Sequence, residues 1–145
     1  FNNGKVNGNF SAYLLIDQTI YRPKGKGSPE NLTPFLSLVF APTNRNKFPF
    51  FLLGGLVYQD PFSGRPTDVL NFGMAYGKYS SEQASEQRKA HQRPQNFETV
   101  LELNYWCQVN EWFSFVPDAQ YIINPKGLGN IPNAFVVGAQ MGFNL

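Results

Sequence analysis

Two acids, Glu102 and Asp118, fall in neighbouring segments that both alternate like β-strands. Paired carboxylates are the machinery of glycoside hydrolysis, one giving a proton while the other acts as base or nucleophile. The pairing is weak evidence, because any two acids on adjacent strands fit the same description. A second chemistry uses the same groups without breaking a bond. Carboxylates and amides hydrogen-bond to sugar hydroxyls, and an aromatic ring covers the apolar side of a pyranose. The residues suited to it are Asp17, Glu102, Asn104, Trp106, Asp118 and Gln120. Each has a plainer reading as a solvated polar residue. Asp17, Asp118 and Arg65 have a structural alternative, pinning a turn or pairing charges in a wall. For Arg65, in the turn-like run GRPTD (64–68), that alternative is the better one.

Other chemistries are poorly supplied. His91 is the single histidine and sits in a polar stretch, and Cys107 is the single cysteine. That composition excludes an internal disulfide framework and the usual multi-cysteine zinc sites, so no metal or cofactor is expected. The net charge of +2 is too mild to argue for nucleic acid. No apolar run approaches the ~18 residues that a membrane helix needs.

The elements that must position the sugar-binding residues are strands. Residues 133–145 alternate Phe135, Val137, Ala139, Met141, Phe143 and Leu145 against Val136, Gly138, Gln140, Gly142 and Asn144. A period of two puts these sets on opposite faces of a strand. Similar stretches occupy 10–21, 35–41, 50–59, 69–79, 97–109 and 112–124. Residues 50–59 are apolar on both faces, so pattern does not fix their register. Pro117 lies mid-strand and predicts a bulge or local irregularity. The connections contain Gly, Pro and Asn, and the cluster at 1–9 reads as a turn. The run 80–96 is expected to be a solvated loop, with room for one or two helical turns.

Seven strands in order, with no convincing helix, predict an antiparallel up-and-down meander. Most of these strands have the length of the ~9–11 residues that cross a bilayer, against ~5–6 in ordinary globular sheets. One face is almost uncharged. The other holds Asp17, Asn71, Glu102, Asn104, Gln108, Asp118, Gln120, Gln140 and Asn144 among glycines. A water-filled lumen on that side and lipid on the other remove the cost of burying the acids. The fold class is therefore all-β, a segment of a transmembrane β-barrel, and the alternative is a two-layer soluble sandwich. With the C-terminus periplasmic, 42–48, 80–96 and 125–132 are external loops, and 22–33, 60–68 and 110–111 are periplasmic.

Several separated runs resemble the carbohydrate-selective porins of the OprB type. They are AYLLIDQTIYRP (12–23), GGLVYQDPFSGRPTDVLNFGMAYG (54–77), LELNY (101–105), PDAQYIINP (117–125) and IPNAFVVG (131–138). The resemblance implies an outer-membrane barrel of about sixteen strands in a diderm bacterium, passing small sugars by diffusion, with no bond chemistry. Residues 1–145 are then the C-terminal part of one barrel domain, a fragment with about seven strands. The partners implied are small sugars, outer-membrane lipid and the barrel insertion machinery, and a homo-oligomer is compatible with this reading. Two departures stand out: the chain ends on Leu145 where the family usually has an aromatic residue, and Trp106 and Gln140 stand where the family often has a basic one. The competing readings are an envelope-tethering structural protein with a porin-like barrel and a soluble sugar-binding β-sandwich.

Overall fold

The computed structural model describes residues 8–23 and 29–144. The expected turn at 1–9 falls mostly, the loop at 22–33 partly, and Leu145 wholly outside those residues. The strands are β1 (Ala12–Asp17), β2 (Asn31–Phe40), β3 (Phe50–Gln59), β4 (Val69–Lys78), β5 (Phe97–Asn110), β6 (Phe113–Ile123) and β7 (Ala134–Phe143). They form one sheet in the order β1 to β7, each antiparallel to its neighbours in sequence. The sheet is not closed, and β1 and β7 are its edges. The expected up-and-down meander is what the chain forms.

Two prolines explain where the ladders depart from expectation. β1 has six residues, although 10–21 all alternates. In the β1–β2 register Gln18 would face Pro34, which has no N–H to give. Gln18 N–H still donates to the Pro34 carbonyl at 3.2 Å, and Ile20 N–H to Leu32 O at 3.0 Å, so 18–21 runs beside β2 without a full ladder. A strand residue turns its N–H and C=O to the same neighbour, so the missing donor lies on the β1 side. The β2–β3 register therefore continues unbroken through Pro34–Leu56. Pro117 acts alike on the β5 side of β6. The ladder steps from Asn104–Asp118 to Cys107–Phe115 without changing register, and the register shift lies nearer the hairpin, between Gln108 and Asn110.

Residues 81–89 are a helix, α1 (Ser81–Lys89), which corrects the expectation of a solvated loop. Ser80 caps it, its side chain accepting the Gln83 N–H at 3.2 Å. Glu82 in the first turn and Arg88 and Lys89 in the last complement the helix dipole. Ala84 is buried, while the rest of the helix is polar.

The register settles which residues share a face. One transverse row runs Asp17, Phe35, Gly55, Gly73, Glu102, Gln120 and Val136, one residue from each strand. Residues in step with this row form a mixed face. Residues out of step form an apolar face, on which Lys78 is the one charged side chain among the seven strands. The ambiguous β3 turns Phe51, Leu53, Gly55, Val57 and Gln59 to the mixed face.

Almost nothing apolar is buried. Among the described residues only Tyr79 and Ala84 qualify, while Phe135 and Val137 are each 70% exposed. A soluble sandwich would cover that apolar face with a second sheet; the described strands form a single layer. A contiguous exposed apolar face of this kind marks a contact surface for a membrane or another protein.

The β2–β3, β4–β5 and β6–β7 connections are tied together at one end of the sheet. Ser80 donates through its hydroxyl to Thr43 O and through its N–H to Lys47 O at 2.9 Å. Asn96 N–H donates to Gly127 O, also at 2.9 Å, and Gln95 Nε2 to Lys126 O at 2.7 Å. Tyr79 packs against Phe48, ring centroids 4.6 Å apart. Gly127 has φ +71°, and a Cβ there would come within 2.5 Å of the Tyr79 ring. Gly127→Ala should cost about 1–2 kcal/mol from the left-handed backbone alone, and open this junction. Limited proteolysis in detergent would then cut within 79–96 faster than in the parent, with the strands still protected.

Candidate functional site

The mixed face is divided lengthwise. β1 to β3 give its middle Tyr13, Leu15, Phe35, Val39, Phe51, Leu53 and Val57, with Asp17, Asn31, Thr33, Ser37 and Gln59 as their polar members. β4 to β6 give it Asn71, Glu102, Asn104, Asp118 and Gln120. The polar half is a connected chain. Asn71 Nδ2 donates to Asn104 Oδ1 at 2.8 Å. Asn104 Nδ2 donates to Glu102 Oε1 at 2.8 Å, and Gln120 Nε2 donates to Glu102 Oε2 at 3.0 Å. Both Glu102 oxygens are thereby oriented by amides, one on its own strand and one on β6, with Asn71 of β4 holding the first of these amides, and each oxygen keeps lone pairs for a further donor.

Five of the six sequence-predicted residues converge. Glu102, Asn104, Trp106, Asp118 and Gln120 line one groove of about 380 Å³, with Gln140 on its far side. Trp106 is held by a bond from Nε1 to Gln108 Oε1 at 3.3 Å. Asp118 lies directly over Gly138, where any Cβ would run into its carboxyl, and Gly142 makes the same room for Ser114. The small side of β7 is thus an imprint of the polar side chains of β6. Asp17 is not part of this group. It stands in the same transverse row as Glu102 but four strands away, roughly 19 Å at the usual strand spacing.

A second recess of about 260 Å³ joins the two halves. Phe35 and Leu53 wall it on one side and Glu102, Asn104 and Asn71 on the other. Gly73 lies between these walls and has no atom within 4 Å of where a Cβ would be. Sequence reading passed over Phe35, Leu53 and Gly73 as site residues. The signal was β3 itself, whose second apolar face is needless in a strand that simply divides lipid from water.

Arg65 and Asp68 form a separate site at the opposite end of the sheet from α1. Asp68 is fully buried. It accepts from Arg65 Nε and Nη2, from Tyr105 OH, and from the Gln108 N–H at 3.0 Å. Arg65 Nη2 also lies 2.9 Å from Cys107 Sγ and 3.2 Å from Gln108 O. Burial alone would raise the Asp68 carboxyl, but the bonds from Arg65, Tyr105 and the Gln108 backbone outweigh it and hold it below the ordinary carboxylate range. Asp68 in turn raises the Arg65 guanidinium further above its usual value. The GRPTD turn is thus pinned to the β5–β6 hairpin, the structural role expected of Arg65. Asp68 itself was not singled out in the sequence.

A single layer of long meander strands, apolar on one face and polar on the other, is the wall of a transmembrane β-barrel. The family can be stated more narrowly. The chain belongs to the carbohydrate-selective porins of the OprB family, whose family model matches residues 2–145. It is 26% identical over 153 residues to Porin B of Pseudomonas aeruginosa, covering 97% of this chain and 34% of that protein. The fold is also that of OprB from Pseudomonas putida, solved at high pH, with a TM-score of 0.82 and 23% identity over 90% of this chain and 34% of that one. The chain therefore spans about a third of the length of each relative.

Proposed function

We propose that these seven strands are the C-terminal part of one barrel of about sixteen strands, an outer-membrane channel through which small sugars diffuse into the periplasm of a diderm bacterium. The mixed face lines the lumen and the apolar face meets outer-membrane lipid. The α1 end is external, and the end bearing the Arg65–Asp68 turn is periplasmic. The observation that carries the reading is the recess at Gly73, where an aromatic and aliphatic wall stands against a carboxylate held in an amide chain. A pyranose has the matching chemistry, with apolar C–H faces and a rim of hydroxyls. Binding of that kind is weak enough to release the sugar onward. No bond is broken, and Glu102 and Asp118 act as acceptors. The insertion machinery is the partner in assembly, and a homo-oligomer is compatible with this wall.

Liposome swelling by the full-length porin, with neutral sugars of graded size, tests the channel. Current block by sugar in planar bilayers tests the contacts. Trp106→Ala and Glu102→Gln together should weaken the block about tenfold, the equivalent of ~1.4 kcal/mol. Unchanged block would remove Trp106 and Glu102 from the sugar path.

A further inference from the structure

The single charge on the apolar face has a particular setting. Lys78 is the last residue of β4, and its register partners on either side are Phe50 and Phe97. One step along the same face Tyr76 stacks on Phe97, centroids 5.7 Å apart and planes at 23°, and meets Phe50 at 6.0 Å. Three aromatic rings around one lysine, at the end of a strand, are what a membrane–water boundary selects: the rings sit at the headgroup level and the ammonium reaches out to water.

At the same end of β4 lies a recess of about 370 Å³ between α1 and the segment 94–96 that leads into β5. Lys78 and Arg88 line it, together with Ser81, Gln95 and Asn96. Arg88 reaches it from the last turn of the helix, on the same side as Ser81 and buried Ala84. Among the described residues neither Lys78 nor Arg88 has a carboxylate partner. Two cations and a set of hydroxyl and amide groups thus meet in one recess, and Lys78 joins it to the ring cluster of Phe50, Tyr76 and Phe97.

We propose that this recess binds the phosphate of an anionic membrane lipid, held between Lys78 and Arg88, with the first part of its acyl chain lying over Phe50, Tyr76 and Phe97. The proposal rests on the reading of the apolar face as lipid-facing. The phosphate matches the two cations, and Ser81, Gln95 and Asn96 supply neutral donors. The aromatic rings match a chain that a soluble anion lacks, so the occupant is a lipid and not free phosphate. The site would fasten the polar helix α1, which buries little of itself, to the bilayer surface.

The test uses the full-length porin, delipidated in a neutral detergent and titrated with phosphatidylglycerol, with bound lipid counted by native mass spectrometry. Wild type should retain the lipid at about thirtyfold lower concentration than the Lys78→Gln/Arg88→Gln variant, since each of the two basic residues near a membrane surface contributes ~1 kcal/mol. Lys78→Arg should keep the wild-type retention, and phosphatidylcholine should not be retained by either protein. Equal retention of phosphatidylglycerol by wild type and the double variant would overturn the site. So would inorganic phosphate that displaces the lipid at matching concentration, which would make this a soluble-anion site. Sugar-driven liposome swelling, run in parallel, should be the same in both proteins. Its absence from wild type would sink the channel reading while leaving the lipid counts to stand or fall by themselves.

Discussion

Asp68→Ala in the full-length porin should lower its unfolding free energy by about 2–3 kcal/mol, read from urea denaturation in detergent or from the gel midpoint of heat-modifiable migration. The replaced carboxylate is fully buried and accepts from Arg65, Tyr105 and the Gln108 N–H. Each donor left without a partner costs ~1–3 kcal/mol when it stays buried. Arg65 is 42% exposed and can turn to water, which keeps the total at the lower end of what breaking a buried ion pair costs. The pH dependence has a definite sign. A carboxyl held below its unfolded value of about 3.9 contributes stability that is complete above about pH 5. That stability is lost as pH falls through the folded value. Between about pH 5 and 8 this group should leave the midpoint flat. Asp68→Asn should start lower and show a shallower acid limb than wild type. A steep acid limb retained in Asp68→Asn would assign it to other carboxylates.

The second large effect is on transport. Gly73→Trp should reduce sugar-driven swelling about tenfold while the barrel still folds. Gly73 lies on the mixed face between Phe35 and Glu102, with nothing within 4 Å of a Cβ. An indole there enters open space, so folding pays no overpacking cost of the usual ~1–3 kcal/mol. It fills a recess of about 260 Å³ and stands in front of both the Leu53 wall and the Asn104–Glu102 chain. Gly55 is the contrasting control. It pairs with Gly73 across the ladder, but a Cβ there runs into backbone, so even Gly55→Ala should disturb the sheet. Normal swelling in a folded Gly73→Trp protein would move the sugar path off this recess.

The strands and most faces were legible in the sequence because both are local properties with a period of two. What stayed hidden depends on partners elsewhere. β1 ends at Asp17 on account of Pro34, which belongs to the next strand. The face of β3 could not be chosen from its own residues, and only its register with β2 and β4 turns Leu53 toward Glu102's side. Asp68 reads as an ordinary turn residue until Tyr105, 37 positions on, and Gln108, 40 positions on, are placed beside it. The helix at 81–89 is a different kind of miss. Its signal was local, a Ser80-x-x-Gln83 capping pattern, but it has no apolar stripe, and a reading that looks for amphipathic periodicity passes over it.

The strand order also says how such a wall is built. Every strand pairs only with those before and after it in the chain. The connections run from two residues (111–112) to eighteen (79–96), and because doubling a loop adds only ~0.6 kcal/mol each closure adds little entropy cost. Ladder formation can therefore proceed by accretion, each hairpin zipping onto the margin left by its predecessor. Low contact order of this kind makes β-structure fast to form for its size. An assembly factor need shield a single advancing margin at any moment, and an interrupted chain leaves behind a shorter sheet of the same pattern, with no tangle to undo.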